Sequence, residues 1–159
     1  MQTMSTKGEA YQYTESGLNN VYLVGGYEFV DDGKAVIIRD IDGLHRAIGQ
    51  ILVKMPRRLT GDEFRFLRSE LLLSQAALAK LLGVKELTIG RWERGESELP
   101  VPAEVIVRIT FLESLGETGE VKKLLERIAD LEDEIDRCTI KMDECEGQWV
   151  ALEPEPEAA

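Results

Sequence analysis

The chain has 159 residues, 19 Lys and Arg against 30 Asp and Glu, a formal net charge of -11, and 43% hydrophobic residues. That is material for one domain, or for one small domain with attachments. One histidine and two cysteines exclude a four-ligand zinc site of the usual kind, no apolar run reaches the roughly 18 residues of a bilayer span, and no signal peptide is recognised, so a cytoplasmic protein without a membrane partner is expected.

The acidity is uneven along the chain. Residues 1–56 carry 5 basic and 7 acidic groups, residues 57–100 carry 8 and 7, residues 101–112 carry 1 and 1, and residues 113–159 carry 5 and 15. A low overall isoelectric point therefore leaves room for a nucleic-acid-binding middle, because exposed charges more than about 8–10 Å apart are largely screened at physiological salt.

From Tyr11 to Arg39 short runs of β-branched and aromatic residues alternate with turn residues: YQYT, VYLV, Gly25-Gly26, YEFV, Asp31-Asp32-Gly33-Lys34 and AVIIR. The pattern predicts an antiparallel meander. Asp42 is then placed to cap a helix with Leu44, Ile48, Ile51 and Leu52 on one face, lying on the sheet and ending near Met55-Pro56. Pro56-Arg57-Arg58 is read as a linker, since the residue before a proline is biased out of the helical region. His45, with no second histidine or cysteine nearby, is a packing or surface residue, and Asp40 and Asp42 are helix caps rather than metal ligands.

Residues 60–116 carry a helical pattern throughout. Thr60 and Glu63 form a capping box for a helix through about Leu72. Ser74 caps the next helix, QAALAKLL, which Gly83 ends; a third runs from about Lys85 to Arg94 and stops at Gly95; a fourth, AEVIVRITFLESLG, ends at Gly116. From Val121 the apolar residues recur in steps of three and four: Val121, Leu124, Ile128, Leu131, Ile135, Cys138, Met142, Cys145, Trp149 and Leu152. This is either the seam of a coiled coil, favouring a parallel homodimer, or one amphipathic helix packed on its own domain. In a dimer Cys138 and Cys145 would each face its own copy, as small buried hydrophobes or as an interchain bridge.

The expected class is thus α+β. A β-meander and helix occupy residues 1–56, an all-α helix-turn-helix domain residues 57–117, a coiled-coil helix residues 118–152, and a disordered acidic, proline-rich tail residues 153–159.

The stretch Leu73 to Gly95, with Leu73-Ser74-Gln75, Leu78-Ala79, Leu82-Gly83-Val84, Thr88-Ile89, Arg91-Trp92-Glu93 and Gly95 in register, resembles the DNA-binding domain of the lambdoid-repressor or XRE helix-turn-helix family. The resemblance implies a structural pair between Arg68 and Glu93. It implies phosphate contacts by Ser74, Gln75 and Lys85, with Arg94 either a further phosphate contact or a solvated charge. It also implies that Glu86, Leu87 and Arg91 face the major groove: Arg91 to guanine, Glu86 to cytosine N4 and Leu87 to a thymine methyl. Gly90 departs from the polar residue often found there; it either lets the helix approach DNA closely or weakens the helix.

Further toward the amino terminus, YTESGLNNVYLVGGYEF and IDGLHRAIGQIL, followed by the helix-turn-helix, resemble the MqsA or YgiT-type antitoxins. That family holds zinc through paired CxxC motifs, and no cysteine occurs here before Cys138, so no metal and no cofactor is expected. The functional expectation is a dimeric, sequence-specific DNA-binding transcriptional regulator, a repressor on a palindromic double-stranded operator. The alternatives are an antitoxin that binds a protein toxin and regulates its own operon, and a coiled-coil scaffold whose helix-turn-helix serves packing or protein contact. No enzyme activity is expected.

Overall fold

The computed structural model describes residues 10–116, 138–152 and 155–156. The chain divides into two compact units, Met1–Ala47 with Arg137–Ala159, and Ile48–Asp136. Chain from residue 138 on thus groups with the amino-terminal strands.

In the first unit β1 (Tyr11–Gln12) pairs antiparallel with β2 (Val21–Leu23), while β3 (Tyr27–Val30) and β4 (Ala35–Ile38) form a separate two-stranded sheet. The single meander is therefore not formed. Beside β2 lies β5 (Cys138–Cys145), parallel to it in the register Val21↔Ile140 and Leu23↔Met142. An antiparallel hairpin follows, β5 with β6 (Gln148–Ala151), and β7 (Glu155–Pro156) pairs with β5. Between β2 and β3, Gly26 takes φ +76, and a Cβ there would meet the Trp149 ring and the Glu144 Cβ, so the carboxy-terminal hairpin packs closely on this turn while β5 pairs with the edge of β2. The indole Nε1 donates to the carbonyls of Arg39 and Asp40 at 3.1 and 3.0 Å, which fixes Trp149 there.

The second half of the expected coiled-coil seam, Cys138, Met142, Cys145, Trp149 and Leu152, is therefore strand, hairpin and strand end rather than helix. Two features decide this. Ile140 and Met142 alternate with Lys141 and Asp143, so one strand face is buried, and Glu146-Gly147 supplies two successive residues at positive φ (52 and 78), as a two-residue hairpin turn between twisted strands requires. Cys145 falls on the opposite face from Met142 and is exposed. Val121, Leu124, Ile128, Leu131 and Ile135 lie outside the described residues. Within the span expected to be a disordered tail, Glu155–Pro156 is strand.

The core of this unit gathers Tyr13, Leu18, Val21, Leu23, Leu44, Ile140, Met142 and Trp149, all buried. Helix α1 (Ile41–Lys54) is capped by Asp40, whose Oδ1 accepts from the Gly43 N–H at 3.1 Å; Asp42 falls inside the first turn. His45 is a packing residue that hydrogen-bonds the buried Tyr13 hydroxyl at 2.6 Å.

The second unit holds the end of α1 and four further helices: α2 (Gly61–Glu70), α3 (Gln75–Leu82), α4 (Glu86–Glu93) and α5 (Val101–Ser114). Side-chain caps set the starts of α2 and α3. Thr60 and Glu63 complete the capping box, the Ser74 hydroxyl accepts from the Ala77 N–H, and Gly83 ends α3 in the left-handed region. Ile48, Leu52, Phe64, Leu67, Leu78, Ile89, Trp92, Val107, Phe111 and Leu112 are buried between them, with Phe64 edge-on to Trp92 at 6.2 Å.

Arg57 and Arg58 are not an exposed linker. Their side chains are 9% and 8% exposed and form ion pairs with Glu63 and Glu104 at 2.5 and 2.7 Å.

Candidate nucleic-acid interface

The sequence closes α3 and α4 into a compact pair. Gly83 turns the chain, the Val84 N–H returns to the Ala79 carbonyl at 3.0 Å, and Leu78, Ala79, Ile89 and Trp92 bury the inner faces. Gly61 brings α2 onto the end of α4, because a Cβ there would lie 2.5 Å from the carbonyl oxygens of both Trp92 and Glu93.

Arg68 and Glu93 brace this arrangement as the resemblance implied. Arg68 Nε donates to Glu93 Oε1 at 2.5 Å and Nη2 to Oε2 at 3.3 Å, while Nη1 donates to the Leu73 carbonyl at 2.9 Å. With side chains only 12% and 4% exposed, the pair is shielded from the solvent screening that weakens surface ion pairs. Gln75 joins it, its Nε2 donating to Glu93 Oε2 at 2.8 Å. The side chain expected at a phosphate is therefore spent inside the protein, and Gln75 can offer DNA its backbone N–H in the first turn of α3. Ser74 sits beside it, exposed, with its hydroxyl oxygen engaged as the cap.

On α4 the buried face carries Ile89, Gly90, Trp92 and Glu93. Leu87 and Arg91 point away from that face, Glu86 stands in the first turn, and Lys85 comes just before it; all four are exposed, Leu87 at 59%. The resemblance assigned base reading to the first three and a phosphate contact to Lys85, and the fold places them along α4 and at its start. Arg94 is engaged elsewhere: its Nε donates to Glu96 Oε1 at 2.8 Å and Nη2 to Oε2 at 3.2 Å. The Glu96 carboxylate raises the Arg94 guanidinium above its ordinary value, and Arg94 in turn lowers Glu96. A Cβ on Gly90 would meet only this guanidinium, 2.9 Å from Nη1, and the half-exposed Arg94 side chain can move aside.

A second charged group, not anticipated from the sequence, ties the entry of this domain to α5. Glu104, fully buried, accepts from Arg58 Nε at 2.7 Å, the Leu59 N–H at 2.8 Å and Arg108 Nη2 at 2.8 Å. Arg108, equally buried, also donates to the carbonyls of Leu52, Val53, Met55 and Arg57. It thereby satisfies the carbonyl end of α1, which has no partners within its own helix. Burial presses this guanidinium below its ordinary pKa, against the raising effect of Glu104. The legible signal was Glu104 and Arg108 four residues apart inside the otherwise apolar run AEVIVRITFL.

Residues 64–102 match the helix-turn-helix family model HTH_3. This segment is an XRE-type helix-turn-helix. The match spans the end of the braced α2, then α3, α4 and the start of α5. It does not reach residues 10–52, where the likeness to the MqsA or YgiT antitoxins rests on sequence pattern alone. No curated protein and no solved structure matches the chain. No described helix is long and apolar enough to cross a membrane, and no group of three or more metal-ligating side chains occurs among the described residues.

Proposed function

We propose that the protein is a non-catalytic, cytoplasmic transcriptional regulator, a repressor that binds a palindromic operator as a homodimer. The supporting observation is the exposed set Glu86, Leu87 and Arg91 on an α4 whose other face is fixed by Trp92 and by the Arg68–Glu93–Gln75 group. Rigid presentation matters because a base contact is specific only when its donors are held in register with the groove. In this reading Arg91 forks onto guanine, Leu87 covers a thymine methyl and Glu86 accepts from cytosine, while Lys85 and the first-turn N–H groups of α3 hold phosphates. Two copies are required because one module makes few contacts, and a linked second module engages its half-site at raised effective concentration. The proposed pairing rests on the apolar three-and-four spacing of Val121, Leu124, Ile128, Leu131 and Ile135 in the sequence.

Selection of bound duplexes from a random pool tests the reading. Arg91→Ala should cost about 1–3 kcal/mol on the selected site and relax preference at one base pair. Lys85→Ala should weaken selected and random DNA alike and lower the salt slope by about one. Equal loss on both DNAs for Arg91→Ala would remove it from base reading. Ile128→Lys with Ile135→Lys should convert a sedimenting dimer to monomer and weaken operator binding with it.

A second reading, capture of a protein such as a toxin by the first unit, is favoured by the apolar side chains that β3 and β4 leave in solvent, Phe29 at 56% and Ile37 at 54% exposure. A small ribonuclease encoded beside this chain that co-purifies with it at fixed stoichiometry would support that reading, and its free passage would reject it.

A further inference from the structure

The β3–β4 hairpin is a two-stranded sheet with neither face buried. In its register Tyr27 stands opposite Ile38 and Phe29 opposite Val36, so these four share one face. None of them is buried, and Phe29 is more than half exposed. Tyr11 extends the same surface, with ring centroids 5.3 Å from Tyr27 and 5.9 Å from Phe29, and Tyr27 and Phe29 meet edge to face at 5.6 Å. An isolated two-stranded hairpin is marginal in water, and aromatic clusters of this kind are the usual anchors of protein interfaces.

The charges around this face select among occupants. Glu15 accepts from the Tyr11 hydroxyl at 2.5 Å, Asp31 and Asp32 form the turn at the tip of the hairpin, both exposed, and Glu28 lies on β3. Of the nearby cations, Arg39 is drawn to Glu28 at 2.7 Å and Glu144 at 3.6 Å, which leaves Lys34. Over residues 10–47 and 138–152 nine carboxylates stand against four cations, Lys34, Arg39, Arg46 and Lys141. Such a surface repels nucleic acid and anionic lipid, and a second copy would bring the same carboxylates together.

We propose that the aromatic face of the β3–β4 hairpin, centred on Tyr11, Tyr27 and Phe29 and rimmed by Glu15, Asp31 and Asp32, is a docking surface for a cationic protein segment carrying apolar anchors. The anchors pack on the rings, and Lys or Arg side chains reach the rim. This deepens the second reading, protein capture by the first unit, and is independent of DNA binding through α4.

The probe is a random 12-residue peptide library displayed on phage and selected against the full chain, with the enriched peptide then synthesised for calorimetry. Selected peptides should combine aromatic or aliphatic residues with several Lys or Arg. Phe29→Asp should weaken the peptide at least tenfold. Asp31→Asn with Asp32→Asn, which keeps residues tolerant of positive φ, should weaken it about threefold to tenfold at low salt and have little effect at 0.5 M salt. Arg91→Ala should leave it unchanged. Circular dichroism checks the fold of Phe29→Asp; if that variant does not fold, Phe29→Ser, which introduces no charge, takes its place. Acidic or neutral consensus peptides, or no enrichment at all, overturn the proposal. Equal enrichment on Phe29→Asp overturns it while leaving protein capture elsewhere on the first unit, and a dimer in sedimentation that Phe29→Asp abolishes reassigns the face to a second copy.

Discussion

The most exacting test of the described structure is Glu104→Ala. The Glu104 carboxylate has no exposure and accepts from two guanidiniums and one backbone N–H, those of Arg58, Arg108 and Leu59. Removing it leaves two cations facing each other without their shared anion, and strands the Leu59 N–H. Breaking a buried pair costs about 3–5 kcal/mol, and a stranded buried N–H about 1–3 kcal/mol. The two overlap, so a total of about 4–6 kcal/mol is expected, close to the whole stability of a marginal domain. At about 4–8 °C per kcal/mol for a domain of this size, Tm should fall by at least 15 °C. Urea denaturation followed by circular dichroism at 222 nm reads mainly the second unit, which contains α2 to α5 and the end of α1. Glu104→Gln, which keeps the shape but loses the charge, should be nearly as damaging. Adding Arg58→Met to Glu104→Ala should recover about 1–3 kcal/mol relative to additivity, because one stranded charge is gone. A loss below about 1 kcal/mol for Glu104→Ala, the value of an exposed pair, would refute the burial on which this reasoning rests.

Three further outcomes are expected. Arg68→Ala and Glu93→Ala should each destabilise by about 3 kcal/mol, and a double-mutant cycle should show coupling above 1 kcal/mol, with none rejecting the pair. Leu72 stands at φ 57 just past the end of α2, 92% exposed, where a left-handed residue closes the helix and the Leu73 N–H returns to the Arg68 carbonyl at 3.2 Å; Leu72→Gly should therefore raise stability by about 0.5–1 kcal/mol in urea denaturation, and a loss would mean that its side chain makes a contact in solution. Truncation after Gly116 should unfold the first unit, because Val21 and Leu23 lose the strand that covers them, while the second unit keeps its helical signal; amide exchange showing residues 11–38 still protected would contradict the β2–β5 pairing.

The helix-turn-helix was legible because its determinants are local. Thr60 and Glu63, Ser74, Gly83 and the spacing of Leu78, Leu82, Ile89 and Trp92 each act within a few residues, and the resulting helices begin and end where those signals lie. Arg68 with Glu93 is a long-range contact, yet it was available from the family pattern. The Arg57, Arg58, Glu104 and Arg108 group was not. Ion pairs between residues 46 apart in sequence leave no period to detect, and adjacent arginines after a proline look like solvent-exposed chain until the carboxylates that bury them are in place.

The carboxy-terminal segment shows how one apolar spacing serves two structures. Steps of four and three, Cys138, Met142, Cys145, Trp149, place every residue on one helical seam. The same residues in a hairpin are sorted by strand parity instead, and the turn resets that parity. Met142 and Trp149 then share a face because Met142 pairs with Ala151 and Glu144 with Trp149, whereas Cys145 is turned out. The period-2 run Ile140-Lys141-Met142-Asp143 and the dipeptide Glu146-Gly147 were the discriminating signals, and both are shorter than the heptad pattern that masked them. The unit that carries the exposed aromatic hairpin therefore draws its strands from chain on both sides of the helix-turn-helix, β1 and β2 before it and β5 and β6 after it, a pairing that no local period in either segment announces.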